Sequence, residues 1–323
     1  MTLQIPQENV LAFLRKRESF PHEAHCPDEV ETNQSHVFLV GEYAYKLFKA
    51  ISRYRDNTSP EARLENARLE MDANRHMAKE LYLGIYAVVA ESSTPLQRQP
   101  RLWLEPLAEN GEQNAVDYVV KMHRFRAFAL LYDRLFKGWL TANEVYALGE
   151  RVAAFHVNQP LEPVPPEGNH ANFRENFSGL CGSYAQKVQS PRASSIIGDL
   201  DVLGLHAIED AKERLDARNN SWHLLHGDLD FGNIASFNDA LMPFDAQVLF
   251  DGKRANDPAK DVAYMLAPLY MYEKPELARA LLDGYQNVAN DPTLEDVLPL
   301  WVAYASIVRG GSWLSRVNAL KNT

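Results

Sequence analysis

The residues best suited to chemistry lie in one segment of the second half of the chain. His226 and Asp228 flank a glycine after an apolar lead-in, and Asn233 stands five positions beyond that aspartate. Twelve residues after Asn233, a short apolar run ends in a second acid, Asp245. In loops that transfer phosphoryl groups, the first aspartate accepts the proton of the attacking hydroxyl, and the asparagine and the later aspartate hold Mg²⁺. The spacing therefore predicts phosphoryl transfer with Asp228 as base and with Asn233 and Asp245 as metal ligands.

Phosphoryl transfer also needs positive charge against the developing oxyanions, which a lysine on a strand usually supplies. Two aromatic and branched runs, residues 35–40 and 43–49, are separated by two turn residues and predict a hairpin. Strand alternation places Lys46 on one face with Ala44 and Phe48. A lysine in this setting is more often a strand-edge charge that reaches water. The downstream loop favours the other interpretation, in which Lys46 contacts nucleotide phosphates.

A helix is predicted over residues 60–79, which are rich in Glu, Ala, Arg, Leu and Met with a proline at the start. Glu70 is the candidate in this helix to form an ion pair with Lys46. Glu61 and Glu65 are the alternatives, and any one of the three could instead lie on a solvated face.

The segment expected to bind the phosphates lacks the usual glycines. No Gly-x-Gly-x-x-Gly precedes Lys46, and only residues 32–35 lie between the presumed first strands. Ser35 and the amides of this segment are candidates to bind phosphate. The missing glycines keep open a nucleotide-binding regulatory protein without transfer activity. Phosphorylation of protein Ser or Thr side chains is a further alternative.

Several residues near the catalytic segment are predicted to have supporting roles. The ring of His226 is expected to anchor the loop backbone, with a general-base role as the alternative. Asp261 is expected to brace the amides of the loop. Asp257 is expected to stabilise a helix dipole, which is worth about 0.3–1 kcal/mol. Asp230 would face either substrate or solvent.

Composition predicts a soluble globular protein. The 323 residues suit one large or two modest domains, and hydrophobic residues make up 46% of them. The net charge of -10 disfavours nucleic acid as a partner. No apolar run reaches the ~18 residues of a membrane helix, and the first residues do not resemble a signal peptide. Two distant cysteines fit a reducing cytoplasm, where we expect the protein to reside.

The distribution of patterns along the chain predicts an α+β fold with two lobes. Five strands and one inserted helix are expected over residues 1–122, which would form a nucleotide-binding N-lobe with an antiparallel sheet. Residues 123–323 read as a larger, mostly helical C-lobe that carries the catalytic loop, the metal site and substrate-binding helices. Helices are expected there over residues 128–136, 141–155, 171–188, 201–218, 260–272, 276–289 and 294–317, with a hairpin at 234–244. A cleft between lobes is a usual ligand site.

These motifs resemble the aminoglycoside phosphotransferase family, which is part of the protein-kinase-like superfamily. The resemblance runs from about Glu31 to about Arg309. It is strongest to a bacterial branch described as aminoglycoside phosphotransferase family enzymes. Many members of that branch carry a second, P-loop ATPase domain, whose Gly-x-x-x-x-Gly-Lys-Ser/Thr motif this sequence does not contain. Members share segments similar to residues 36–47, 81–84, 226–234 and 257–263.

The resemblance implies a bilobal protein-kinase-like fold that binds ATP or GTP with Mg²⁺. It implies Asp228 as the base and Lys46 on the phosphates. The backbone near Lys121 and Met122 would meet the purine. The acceptor would be a hydroxyl group of a small molecule, and the resemblance does not fix which one.

Overall fold

The structure is a computed structural model in which helices and strands alternate with short loops. The chain divides into two compact units. The first unit combines Met1–Asp133 with Ala235–Lys253, and the second combines Arg134–Ile234 with Arg254–Thr323. The predicted boundary after residue 122 stays a prediction. The residues that the structure describes are 5–20, 22, 25–52, 55–91, 100–107, 114–188, 190–247 and 255–321, with side chains as far as residue 311.

The described residues of the first unit include a six-stranded sheet with two helices. Its helices are α1 (Gln7–Leu14) and α2 (Pro60–Asn74). The start of α2 follows from its sequence, because Ser59 accepts a hydrogen bond from the amide of Ala62 and Pro60 occupies the first helical position. The strands of the sheet are β1 (Asp28–Glu31), β2 (Ser35–Val40), β3 (Tyr43–Phe48), β4 (Tyr82–Ala90), β5 (Leu102–Pro106) and β6 (Ala115–His123).

The sheet is antiparallel throughout, with the strand order β1-β2-β3-β6-β4-β5. Side chains alternate between two apolar clusters. Tyr45 and Leu47 lie in one cluster with residues of α1, whereas Ala44 and Phe48 lie in the other with Ala67 of α2. The predicted alternation along β3 is therefore confirmed, and it directs Lys46 to the face that α2 covers.

The prediction of five strands is wrong by one. Residues 28–31, for which no strand bounds were predicted, form β1 and pair with β2. All four residues of β1 are exposed. An edge strand of this kind buries no face, so its sequence shows no apolar alternation that could have predicted it.

A second hairpin in the first unit ends just before Asp245. Strand β8 (Ile234–Phe237) pairs with β9 (Ala240–Pro243), as predicted. Asn238 and Asp239, between the strands, have φ angles of 49° and 60°. Two left-handed residues in a two-residue loop match the right-handed twist of a hairpin, and Asn and Asp tolerate this conformation.

The second unit is mostly helical. Two short strands, β7 (His223–Leu224) and β10 (Ala255–Asn256), pair antiparallel. One predicted helix, over residues 201–218, is wrong in its bounds. Ser190 and Pro191 start a helix ten residues earlier, and the chain breaks at Ala211 into two helices. The helices of this unit are α3 (Leu131–Phe136, which starts in the first unit), α4 (Ala142–Val157), α5 (Gly168–Lys187), α6 (Pro191–Asp210), α7 (Lys212–Asp216), α8 (Ala259–Met271), α9 (Pro275–Ala289) and α10 (Leu294–Lys321).

Helices α4 and α9 pack unusually closely. A Cβ atom on Gly149 would lie 2.2 Å from the carbonyl oxygen of Leu281, and one on Gly284 would lie 2.0 Å from that of Tyr146. Only glycine permits this approach. Helix α4 begins with a capping box, since Thr141 and Glu144 cap each other's backbone amides.

Across the part of the chain that the structure describes, no helix has both the length and the apolar character needed to cross a membrane.

Candidate active site

Lys46 lies at the centre of a charged cluster in the first unit. Its Nζ donates to both carboxylate oxygens of Glu70, at 3.0 and 2.9 Å, and to Oδ1 of Asp245 at 2.7 Å. Lys46 is 9% exposed and Glu70 is 3% exposed. The ion pair predicted between β3 and α2 is therefore present, with Glu70 rather than Glu61 or Glu65 as the partner.

The pKa values of this cluster reflect both burial and the interactions between its charges. Burial opposes the charge on Lys46, but attraction to Asp245 and Glu70 outweighs it and raises the pKa of Lys46. Burial also raises the pKa of Glu70, and repulsion by Asp245 adds to that effect against the attraction of Lys46. Lys46 therefore stays protonated at neutral pH and offers a fixed positive charge.

The backbone around Asp245 is held by side chains of the same unit. The amide of Asp245 donates to the hydroxyl of Tyr82 at 3.2 Å, and the amide of Ala246 donates to Oδ1 of Asn74 at 3.0 Å. Asp245 has a φ of 59°, in the left-handed region. Aspartate tolerates this region better than most residues, and such angles persist where surrounding contacts enforce them. The side chain of Asp245 stays about half exposed.

Arg55 is a second cation near this cluster, and the sequence did not point to it. Its Nη1 donates to Oδ1 of Asn66, which lies one helical turn before Glu70 on α2. Burial lowers the pKa of Arg55, against the attraction of Glu70 and Asp245. A loop arginine carries no local pattern that reveals such a neighbourhood.

The other predicted nucleotide-binding residues of the first unit lie in the sheet. Ser35 is 2% exposed, and its hydroxyl is 2.9 Å from that of Thr32 across the turn between β1 and β2. Lys121 places its Nζ 3.9 Å from the ring centroid of Tyr43, a cation–π contact. Met122 is buried beside Ala44 in the cluster under α2. Their roles toward a nucleotide stay predictions.

In the second unit, Asp228 and Asn233 are brought together. The side-chain Nδ2 of Asn233 donates to Oδ2 of Asp228 at 2.9 Å and to the backbone carbonyl oxygen of Asp228 at 3.0 Å. Asn233 ends a single 3-10 turn, Phe231–Asn233, which follows Asp230. This turn explains the five-residue spacing between Asp228 and Asn233, because it brings the side chain of Asn233 back into contact with Asp228.

Asp261 braces the backbone of the loop of residues 226–233, as predicted. Its carboxylate accepts from the amide of His226 at 2.8 Å and from that of Gly227 at 3.0 Å. Gly227 has a φ of 84°, which glycine adopts without strain. His226 is fully buried, and its Nδ1 accepts from the amide of Asp228 at 3.3 Å, so the predicted anchoring role of the ring is confirmed.

A histidine from α4 completes this brace and was not predicted. His156 Nε2 donates to Asp261 at 3.2 Å, and its Nδ1 lies 2.9 Å from the hydroxyl of Tyr285 on α9. Burial alone would raise the pKa of Asp261, but the hydrogen bond and charge of His156, together with His226, lower it. The close contact between α4 and α9 thus places a ring under the loop. A lone histidine on a helix gives no sign of this in the sequence.

Asp257 does more than provide the expected charge at a helix N-terminus. Asp257 does accept from the amide of Ala259 at the start of α8, but it is fully buried. Both of its oxygens pair with Arg218, at 2.6 and 2.7 Å, and Asn169 donates to it at 3.1 Å. A buried carboxylate needs such a partner. Arg218 lies 39 residues away in sequence, so local pattern could not reveal the pair.

The donor atoms of the two predicted metal ligands fit Mg²⁺, which prefers oxygen. The side-chain Nδ2 of Asn233 donates to Asp228, so the side-chain Oδ1 is the atom that would bind a metal. Asp245 offers a half-exposed carboxylate.

Comparison with solved structures identifies the fold. No family model matches the sequence, and no curated protein matches it. A choline/ethanolamine kinase family protein from Mesorhizobium loti is 13% identical, with 98% of this chain and 87% of that chain covered and a TM-score of 0.53. The GDP complex of wild-type aminoglycoside 2'-phosphotransferase-IIIa is also 13% identical, with coverages of 97% and 96% and a TM-score of 0.50. The chain has the α+β, protein-kinase-like fold of these two proteins.

Proposed function

We propose that the protein transfers the γ-phosphoryl group of ATP or GTP to a hydroxyl group of a small molecule. The observation that carries this proposal is the position of Lys46 between Glu70 and Asp245. A lysine that is held by a helix glutamate and that contacts a metal-binding aspartate matches the nucleotide-phosphate end of a kinase site. The charge of Lys46 would stabilise the nucleotide phosphates, and Glu70 would keep its Nζ in place.

The second unit would supply the base. Asp228 accepts the proton of the acceptor hydroxyl, and the hydroxyl oxygen forms a bond to the γ-phosphorus. The bond between that phosphorus and the bridging oxygen breaks, and the nucleoside diphosphate leaves with the electron pair. Asn233 orients the carboxylate of Asp228 through the contact of 2.9 Å.

Asn233 and Asp245 are the residues that would hold Mg²⁺, which neutralises charge on the β- and γ-phosphate oxygens when bound. The nucleotide assignment is supported by the similar fold of aminoglycoside 2'-phosphotransferase-IIIa, whose structure was solved with GDP.

A screen for nucleoside diphosphate release tests this function. Wild type and Asp228→Asn would be incubated with Mg²⁺ and either ATP or GTP across a panel of amino alcohols, sugars and aminoglycosides. We expect acceptor-dependent release in wild type and a fall of about 10²–10⁴-fold in the variant, because a general base typically contributes that much.

A regulatory nucleotide-binding protein would give a different result. Nucleotide would raise the melting temperature of both proteins, but no acceptor would increase release above background. Equal release by wild type and Asp228→Asn with an acceptor would contradict the assignment of the base.

A further inference from the structure

Asp230 lies inside the catalytic loop, between the proposed base and the asparagine. Its Oδ1 accepts from the amide of Gly232 at 2.7 Å, and its carbonyl oxygen accepts from the amide of Asn233 at 2.8 Å. Asp230 therefore caps the turn that returns Asn233 onto Asp228. Movement of Asp230 would move both functional side chains.

The other carboxylate oxygen of Asp230 is paired with a buried arginine from α10. Arg309 Nη2 lies 3.0 Å from Oδ2 of Asp230, and the same nitrogen donates to the carbonyl oxygen of Tyr264 at 3.2 Å. Arg309 is 8% exposed, and burial lowers its pKa to about 10, so it remains charged at neutral pH. One guanidinium thus connects α10, α8 and the catalytic loop.

A glycine two residues after Arg309 allows α5 to pack closely against α10 beside the arginine. Gly310 and Gly311 stand within a 28-residue helix, where each glycine costs about 1 kcal/mol relative to alanine. The hydroxyl of Tyr184 on α5 lies 3.0 Å from the carbonyl oxygens of both Ile307 and Val308. A Cβ on Gly311 would lie 1.8 Å from the ring of Tyr184, whereas one on Gly310 would meet nothing within 4 Å. Gly311 therefore allows the ring of Tyr184 on α5 to pack against the turn of α10 that carries Arg309.

We propose that Arg309 is a positioning residue of the active site, which holds the catalytic loop in its working geometry through Asp230. The proposal rests on the phosphotransferase function for its kinetic consequence, but not for its structural one. An arginine is suited to this role because the two N–H groups on Nη2 donate in fixed directions to a carboxylate and a carbonyl oxygen, whereas a lysine presents a single point charge.

Hydrogen exchange measured by mass spectrometry tests the structural part on the full chain without a substrate. In Arg309→Gln, amides of residues 226–234 should exchange roughly tenfold faster, since the loop loses its ion pair with a buried arginine. Residues of α4 and α9 should exchange as in wild type. Arg279→Gln, which removes an exposed pair with Asp283 on α9, is the matched control and should leave the loop unchanged.

The glycine pair supplies a second test if Arg309→Gln folds poorly. Gly311→Ala should accelerate exchange of the same loop, and Gly310→Ala, one residue away in open space, should not. Equal loop exchange in wild type, Arg309→Gln and Gly311→Ala would overturn the proposal. An increase spread evenly over the whole second unit would also overturn it, because it would show a general stabilising role only.

The kinetic consequence is a fall in kcat with little change in the KM for nucleotide, because the loop carries the base whereas Lys46 contacts the phosphates. We expect kcat to fall about 10–100-fold in Arg309→Gln, the scale of a small misplacement of catalytic groups. Asp230→Asn keeps the cap on the turn but loses the pair, and the double variant should be no slower than the slower single variant. Unchanged kcat with faster loop exchange would overturn the positioning role. If wild type transferred no phosphate, the proposed function would fail, while the exchange experiment would still decide whether Arg309 holds the loop.

Discussion

Lys46 and Glu70 form a buried ion pair in which one ammonium group contacts both oxygens of the carboxylate, at 3.0 and 2.9 Å. The pair joins β3 to α2, and Asp245 contacts the same ammonium at 2.7 Å. Its geometry directs a fixed cation toward the carboxylate that is proposed to bind metal.

Lys46→Met should lower kcat/KM about 10²–10³-fold, the usual loss when one preorganised donor to a developing charge is removed. Glu70→Gln should lower it less, because Lys46 keeps its contact with Asp245. Steady-state release of nucleoside diphosphate measures both. Lys49→Met is the matched control, since Lys49 pairs with the exposed Glu31 near the end of the same strand. A surface pair contributes little, so a loss at Lys49 as large as that at Lys46 would count against the assignment.

Asp261→Asn should destabilise the protein by about 1.5–3 kcal/mol at neutral pH, the contribution of hydrogen bonds to a charged group. The folded pKa of Asp261 is lowered, so its ionised form contributes stability that is complete above the unfolded pKa of ~3.9 and is lost as pH falls through the folded value. Urea unfolding from pH 7 to pH 3 should therefore show the difference between wild type and variant shrinking below about pH 4.

Asp199→Asn, at an exposed position on α6, controls for the loss of one carboxylate. A difference between wild type and Asp261→Asn that stayed constant down to pH 3 would show that the charge of Asp261 does not support the loop.

Gly149→Ala and Gly284→Ala should each destabilise the protein by about 1–3 kcal/mol or more, because the added methyl group would collide with the backbone of the facing helix. Gly179→Ala on α5 is the matched helical control. A Cβ there meets nothing within 4 Å, so this change should stabilise the helix by about 0.5–1 kcal/mol. Equilibrium unfolding in urea measures all three. Equal midpoints for the three variants would contradict the close packing of α4 and α9.

The sequence predicted those parts of the site that are local in the chain. The spacing from His226 to Asn233 encodes one loop and one turn, and Asp261 stands in the first turn of the next helix. The ion pair of Lys46 with Glu70 was predictable because each residue lies at a recognisable position in a strand or a helix.

The parts that the sequence did not predict depend on contacts between distant segments. Arg218 reaches Asp257, His156 reaches Asp261, and Arg309 reaches Asp230 across 79 positions of the chain. Arg218, His156 and Arg309 carry no local sequence pattern that points to these distant partners. Strand β1 was not predicted for a different reason. It is an exposed edge strand, so its sequence has no apolar face that would indicate a strand.

The most direct test of the account is transfer of a labelled γ-phosphoryl group to the acceptor that the screen identifies. Single-turnover transfer would be measured for wild type, Asp228→Asn and the control Asp199→Asn, with nucleotide affinity determined in parallel. We predict label on the acceptor with wild type and Asp199→Asn, and a rate about 10²–10⁴-fold lower with Asp228→Asn at unchanged nucleotide affinity. Transfer by Asp228→Asn at the wild-type rate would contradict the central claim that this aspartate is the base of a phosphotransferase.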